Sequence, residues 1–321
     1  VIVAKDGSGT FTTIQEALDS IPEANTEPVT IHIKDGTYKE KLVIDKPFVS
    51  LVGTSAERVT ITYDDYARKR LPNGEEMRTF ASYSVFIGAD RFTAENITFE
   101  NNAGCGKVVG QAVAVYAEGT GVEFHQCRFL GRQDTLFTGP LPPKPIEGST
   151  FGGPGEGKER KACTLYFHSC YLEGDIDFIF GSATAVFHSC EIFSMDRDEN
   201  PNGFVTAAST PEGQPFGYVF IDCRLTSKAA PETVYLGRPW RDYAKTVFIN
   251  CWMDRHIKKE GWHNWDKPHA EKMVYYAEYR SSGPGGRMDS RVKWAHILSE
   301  KEAETYTVER ILQAAKQAVT D

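Results

Sequence analysis

The sequence predicts an all-β solenoid whose short strands stack coil upon coil in parallel, with a short helix at each end. Two observations carry that reading. An apolar-x-Phe triplet recurs along the chain, and in five of its six copies a cysteine stands three residues after the Phe. After a first short helix the pattern changes to strands punctuated by Gly, Pro, Asp and Asn, while helical periodicity is confined to the two ends.

The copies are Ile97-Thr98-Phe99, Val122-Glu123-Phe124, Leu165-Tyr166-Phe167 and Ala185-Val186-Phe187, followed by the looser Tyr218-Val219-Phe220 and Thr246-Val247-Phe248. Cys127, Cys170, Cys190, Cys223 and Cys251 follow the last five, and Asn102 holds that place in the first. Successive Phe residues lie 25, 43, 20, 33 and 28 residues apart, as in a solenoid whose coils carry insertions of variable length. Stacking places each Phe and Cys over its counterpart, making internal ladders. Rungs about 4.8 Å apart would also bring Cys170 and Cys190 close enough for a disulfide. The plainer reading of these cysteines is small apolar packing at a shared corner.

Taken in order, Ile14, Ala17, Leu18 and Ile21 recur at helical spacing before Pro22. They predict a helix over about residues 12–21 with Thr12 or Thr13 as its cap. Strands are expected over 29–34, 41–44, 49–53 and 60–63. The 43-residue gap in the repeat holds Gly139-Pro140-Leu141-Pro142-Pro143-Lys144-Pro145 and Gly152-Gly153-Pro154-Gly155, read as a long surface loop over about 138–163. Ser299 and Glu302 suit a capping box. Thr307 starts a last helix to about 319, with Val308, Ile311, Leu312, Ala315 and Val319 along one face. Such helices can cover the open strand edges of a solenoid. The whole of 1–321 reads as one domain.

A formal net charge of −8 argues against nucleic acid as the partner. No apolar run approaches the roughly 18 residues of a membrane span. The chain opens Val1-Ile2-Val3 without an initiator Met, as a processed or trimmed chain would. Its seven cysteines, an odd number, form no CxxC pair and no zinc spacing, so no zinc site is read from them and the compartment stays undecided. Asp196-Arg197-Asp198-Glu199-Asn200 has the acids of a calcium loop, but Pro201 replaces the needed Gly and Ala207 the twelfth-position Glu. It reads as a solvated turn.

One acid is out of place. Asp177 interrupts the apolar run Ile176, Phe178, Ile179 and Phe180, and a carboxylate there costs several kcal/mol unless compensated. The repeat suggests a neighbour. Asp134 follows Phe124 by 10 residues and Asp177 follows Phe167 by 10, so the two occupy one position in adjacent coils. Close carboxylates raise the pKa of one and titrate as a unit, and Arg238 nearby would favour the ionised partner. An acid beside an ionised carboxylate suits glycoside or ester hydrolysis. Gln111 and Gln133 offer N–H donors that suit an oxyanion better than a glycosyl cation, which tilts the reading to acyl chemistry.

Five segments also resemble a known family. Gly36-Thr37-Tyr38-Lys39-Glu40, Gly110-Gln111-Ala112-Val113-Ala114, Gly131-Arg132-Gln133-Asp134-Thr135-Leu136, Asp177-Phe178-Ile179-Phe180-Gly181 and Leu236-Gly237-Arg238-Pro239-Trp240 are similar, in order, to the signature segments of pectin methylesterases. The resemblance implies a right-handed parallel β-helix that hydrolyses galacturonate methyl esters in pectin, through an acyl-enzyme and without a cofactor. It makes Asp177 the nucleophile and Asp134 the general acid and base. Gln111 and Gln133 would hold the oxyanion, Arg238 would orient Asp177, and Trp240, Phe80, Phe180 and Phe137 would bind the sugar chain. It further implies a secreted, monomeric enzyme, with a periplasmic or anchored form left open.

Departures from the family pattern are a longer Asp134–Asp177 spacing, Phe137 where Tyr is frequent and Ser182 where Asn is frequent. The Pro/Gly loop resembles those of bacterial members and would deepen or narrow the cleft. A lyase would need a calcium cluster, and a galacturonase clustered Asp residues with a Gly-His-Gly segment that is absent. A purely structural solenoid has no use for aligned Asp residues ringed by Gln and Arg.

Overall fold

A computed structural model describes residues 1–320, the side chains of 318–320 excepted. Three parallel sheets of 11, 7 and 8 strands run the length of the molecule, and the chain visits them in rotation, coil after coil. This is a parallel β-helix. The first sheet runs from Ile2–Val3 to His296–Ile297, the second from Leu42–Ile44 to Val234–Gly237, and the third from Gly36–Lys39 to Trp252–Met253. Strands of three to six residues predominate, because each coil must turn three corners.

The repeat marks one of those corners. Asn96, Gln126, Ser169, Ser189, Asp222, Asn250 and Arg280 all have φ between 51 and 59°. Each of the first six joins a first-sheet strand to the third sheet in a single left-handed step, and Arg280 leads from Tyr275–Tyr279 to the isolated bridge Ser282 makes with Trp252. Asn, Asp and Ser recur there because short polar side chains tolerate or support such turns. Just before the corner, Phe124, Phe167, Phe187, Phe220 and Phe248 stack face to face at 4.5–5.0 Å with interplanar angles of 9–12°. Just after it, buried thiols donate to the Phe carbonyl one coil back: Cys170 to Phe124, Cys190 to Phe167, Cys223 to Phe187 and Cys251 to Phe220. All seven cysteines are free, Cys170 and Cys190 included, as small-residue packing requires.

The first repeat copy is corrected. Phe99 belongs to the third sheet, in register with Phe129, and the ladder position opposite Phe124 is filled by Ala94 in the strand Thr93–Glu95. Phe99 fills the space that the small Ala94 leaves, meeting Phe124 edge-on at 5.9 Å. Ile97, not Asn102, stands where the cysteines stand, since Thr98 pairs with Arg128.

The strands at 29–33, 42–44, 49–53 and 59–63 fall within a residue of expectation. The first helix, Ile14–Asp19, is capped by Thr13, whose hydroxyl accepts from the Glu16 N–H. Gln15 closes the edge of the second sheet, its side chain accepting from the Val43 N–H and donating to the Val43 carbonyl. The capping box at Ser299 forms around Glu300–Ala303. The last helix, Val308–Thr320, lies across the outer face of the first sheet, where Ile311 packs on Val186, Val219 and Val247. It therefore covers an apolar face instead of an open edge, because those strands carry valines outward; Val319 lies outside the described side chains.

The 138–163 segment contains no strand beyond Thr138, as expected. It is not wholly a surface loop. Gly139 to Pro142, Phe151 and Gly155 are buried, since the segment folds back onto the second sheet.

Candidate active site

The outer face of the second sheet carries a cleft of about 250 Å³, lined by Thr79, Phe80, Gln111, Gln133, Asp134, Asp177, Phe180, Ala207, Arg238, Trp240 and Trp265. Asp134 and Asp177 reach it by the same local device. Both sit where the chain enters the second sheet, Asp134 two residues before the strand Leu136–Thr138 and Asp177 second in the strand Ile176–Gly181, with positive φ, 64° and 51°, a conformation that Asp tolerates better than most residues. The pairing Leu136↔Ile179 and Phe137↔Phe180 carries the register back to Asp134 opposite Asp177, and the Asp134 N–H donates to the Ile176 carbonyl at 3.0 Å. Against the next coil, the register shifts between Ile176 and Ile179. That bulge turns Asp177 outward to the cleft while Phe178 stays fully buried in the core. The acid amid apolar neighbours is thus explained by an irregular strand.

Both carboxylates are 7% exposed, and their surroundings differ. Arg238, on the turn after Val234–Gly237, grips Asp177 with two bonds, Nε to Oδ1 at 2.8 Å and Nη2 to Oδ2 at 2.7 Å. Its guanidinium is sandwiched, with Cζ 3.9 Å from the Phe204 ring centroid and 3.7 Å from that of Trp265. Stacked aromatics restrict the fork to the plane of the carboxylate. Among the described residues Asp134 makes no ion pair.

Electrostatics follow from this asymmetry. Burial pushes the Asp134 carboxyl well above the usual carboxylate range, and the neighbouring Asp177 charge pushes it the same way. Burial raises Asp177 too, but Arg238 opposes the rise through its charge and its hydrogen bonds. Of the two, Asp134 is thus the more strongly pushed toward its protonated form, and Asp177 is the one whose charged form Arg238 favours. Asp175, 1% exposed, lies beneath them and accepts from Arg132 Nε at 3.1 Å and from the Ile176 N–H at 2.7 Å.

Gln111 and Gln133 flank the pair. Their backbone carbonyls accept from Ala67 and Ala112, and among the described residues neither side-chain amide has a protein partner. Four N–H bonds are thereby left for whatever occupies the cleft. Trp240, Phe80 and Phe180 form the aromatic wall, with Phe80 stacked on Trp240 at 6.2 Å and Trp240 edge-on to Phe180 at 5.7 Å. Phe137 is corrected. It is fully buried behind Phe80 and Phe180, at 4.9 and 5.0 Å, so it supports the wall without lining the cleft.

Sequence reasoning missed Trp265, Phe204 and the Asp175–Arg132 pair. Trp265 lies beyond the last cysteine copy, where no repeat assigns it a coil position. Its one signal was a large aromatic in the polar segment His263-Asn264-Trp265-Asp266.

Comparison with known proteins places the chain in a family. The sequence profile of the Pectinesterase family matches residues 1–140 and 160–315. Pectinesterase 31 of Arabidopsis thaliana is 36% identical over 311 residues, covering 94% of this chain and 89% of that protein. Pectinesterase QRT1 of the same plant is 32% identical over 312 residues, covering 95% and 75%. Among solved structures, pectin methylesterase from carrot superposes with a TM-score of 0.82 at 29% identity, covering 100% of this chain and 96% of that one. Pectin methylesterase PemA from Erwinia chrysanthemi gives 0.79 at 27% identity, covering 97% and 96%. The bacterial likeness read from the Pro/Gly loop gains no support, since these curated relatives are plant proteins.

Proposed function

Because the chain belongs to the pectinesterase family, and is thus a carboxylic ester hydrolase that removes methyl esters from pectin, we propose that Asp177 is its nucleophile and Asp134 its general acid and base. The observation that carries this reading is the asymmetric pair: a bidentate Arg238 on Asp177 and none on Asp134. An ionised carboxylate held in plane by a stacked guanidinium is aimed and kept unprotonated. Its partner one coil away keeps a proton that it can donate.

In the first half-reaction an Asp177 oxygen attacks the galacturonate ester carbonyl. The tetrahedral oxyanion is met by the side-chain N–H groups of Gln111 and Gln133. As the intermediate collapses, the bond to methoxide breaks, Asp134 gives up its proton, and methanol leaves with an anhydride-linked acyl-enzyme behind. Asp134, now ionised, takes a proton from the attacking water. Collapse of the second intermediate returns Asp177 as a carboxylate and frees the galacturonate acid. The aromatic wall of Trp240, Phe80 and Phe180 offers ring faces and edges to the pyranose chain beside the reacting ester. We read the protein as secreted, because its substrate is a wall polymer outside the cell, and as one β-helix domain, because three continuous sheets run through the described residues; the monomeric state is carried over from the family likeness alone.

The test is methanol release from highly methylated pectin, followed alongside the absorbance of unsaturated products. Asp177→Asn should abolish methanol release. Asp134→Asn should slow it by a factor of about 10² to 10⁴, the usual worth of a positioned acid–base group. Full methanol release by Asp177→Asn would remove the nucleophile, and unsaturated products would indicate elimination instead of hydrolysis.

A further inference from the structure

The family profile passes from residue 140 to residue 160, so the intervening 141–159 segment lies outside what the family shares. In this molecule that segment is built into the cleft wall. Phe151, 8% exposed, sets its ring edge-on against Phe80 at 5.5 Å and against Trp240 at 6.3 Å. Two polar ties fasten the segment to the two strips of chain bearing those rings. Arg78, two residues before Phe80, donates to the Thr150 hydroxyl at 3.1 Å and to the Thr150 carbonyl. Arg241, next to Trp240, donates to the Lys144 carbonyl at 2.8 Å.

The glycines of the segment fit the same account. A Cβ on Gly153, where φ is +79°, would come within 2.5 Å of the Phe80 carbonyl oxygen, and one on Gly155 would collide with the Tyr116 hydroxyl. Backbone pressed this closely onto the wall needs glycine. Glu156 holds the turn from inside, accepting from the N–H groups of Phe151 and Gly152 at 2.8 and 3.2 Å.

We propose that the 141–159 insertion is a positioning element for the substrate wall, in which Phe151 fixes the places of Phe80 and Trp240 and thereby the affinity for the methylated galacturonan chain. Phe151 does not line the cleft and takes no part in the chemistry. The proposal rests on the reading of Phe80 and Trp240 as sugar-contacting residues.

The test measures kcat, KM and the pH profile of methanol release on highly methylated pectin. Phe151→Ala removes two edge-to-face contacts and should raise KM about three- to tenfold. It should leave kcat within about twofold and the pH limbs in place, because the carboxylate pair is untouched. Phe151→Leu, which keeps apolar bulk, should recover part of the loss. An unchanged KM, or a fall in kcat with displaced pH limbs, overturns the proposal. Phe80→Ala tests the underlying reading separately. If Phe80→Ala raises KM and Phe151→Ala does not, the positioning role fails alone; if neither does, the sugar-contact reading fails. Should Phe151→Ala not fold, Phe151→Leu and Arg78→Gln replace it, each with a smaller rise in KM expected and an unchanged KM again refuting.

Discussion

Replacing Arg238 by Lys keeps the positive charge and discards the shape. The native guanidinium makes two bonds to Asp177, at 2.8 and 2.7 Å, while lying between Phe204 and Trp265. An ammonium group retains at most one of those bonds and cannot stack as a plane. A hydrogen bond to a charged group contributes about 1.5–3 kcal/mol, and a desolvated cation–π contact about 0.5–2 kcal/mol. Stacking holds the cation alike over ionised and protonated Asp177, so only the lost hydrogen bond separates the two forms: about 1.5–3 kcal/mol, or roughly 1–2 pKa units at about 1.36 kcal/mol per unit. Its sign is upward, because that bond had favoured the charged form. Activity requires ionised Asp177, so the acid limb of the kcat profile should move up by the same amount. At pH values above the new limb, much of the rate should return. The assay is methanol release across the pH range, with thermal unfolding of the variant as a control for folding. A folded, active Arg238→Lys variant whose acid limb stays where the parent's lies would refute the claim that this fork holds Asp177 ionised.

Two further outcomes follow from named groups. Gln111→Ala and Gln133→Ala should each lower kcat about 10²- to 10³-fold with little change in KM, since their amides meet charge that exists only in the tetrahedral state; a rise in KM at constant kcat would assign them to ground-state binding. His256 is 1% exposed with neither ring nitrogen partnered among the described residues, and burial lowers its pKa from 6.5 to about 4. Above pH 6.5 the ring is neutral in both folded and unfolded chains and contributes nothing to the pH dependence. As pH falls from 6.5 to about 4 the unfolded chain takes up the proton first, costing about 3 kcal/mol of stability by the lower end. Denaturant unfolding of His256→Phe should show a correspondingly flatter acid side, and an unchanged slope would place the acid lability elsewhere.

The repeat was readable because a stacked coil imposes the same demand at each turn. A sharp corner needs a left-handed residue, a ladder needs a flat ring before it, and a small thiol fits after it. Phe124 to Phe248 and Cys127 to Cys251 show that period directly. It erred where composition broke the rule: Ala94 replaced the ring, Ile97 replaced the thiol, and Phe99 resembled a copy while facing the core from another sheet. The candidate carboxylates were found the same way, since equal distances from Phe124 and Phe167 put Asp134 and Asp177 in register.

What period and motif could establish, then, was the stacked architecture, the alignment of the two acids, and the kinship that names Gln111, Gln133 and Arg238. Each depends on spacing along the chain, and spacing is written in the order of residues. Packing between distant segments decided the rest. Trp265 and Phe204 close on Arg238 from coils with no shared spacing, the bulge at Asp177 arises from a mismatch with the following coil, and Phe137 lost its place in the cleft because Phe80 lies over it. The 141–159 segment shows the difference most plainly. Its Pro and Gly content reads as a loop, yet close contact with Phe80, Tyr116 and Trp240 makes it part of the wall. Contacts of that kind depend on where the second sheet's outer face lies in space, which no local pattern encodes.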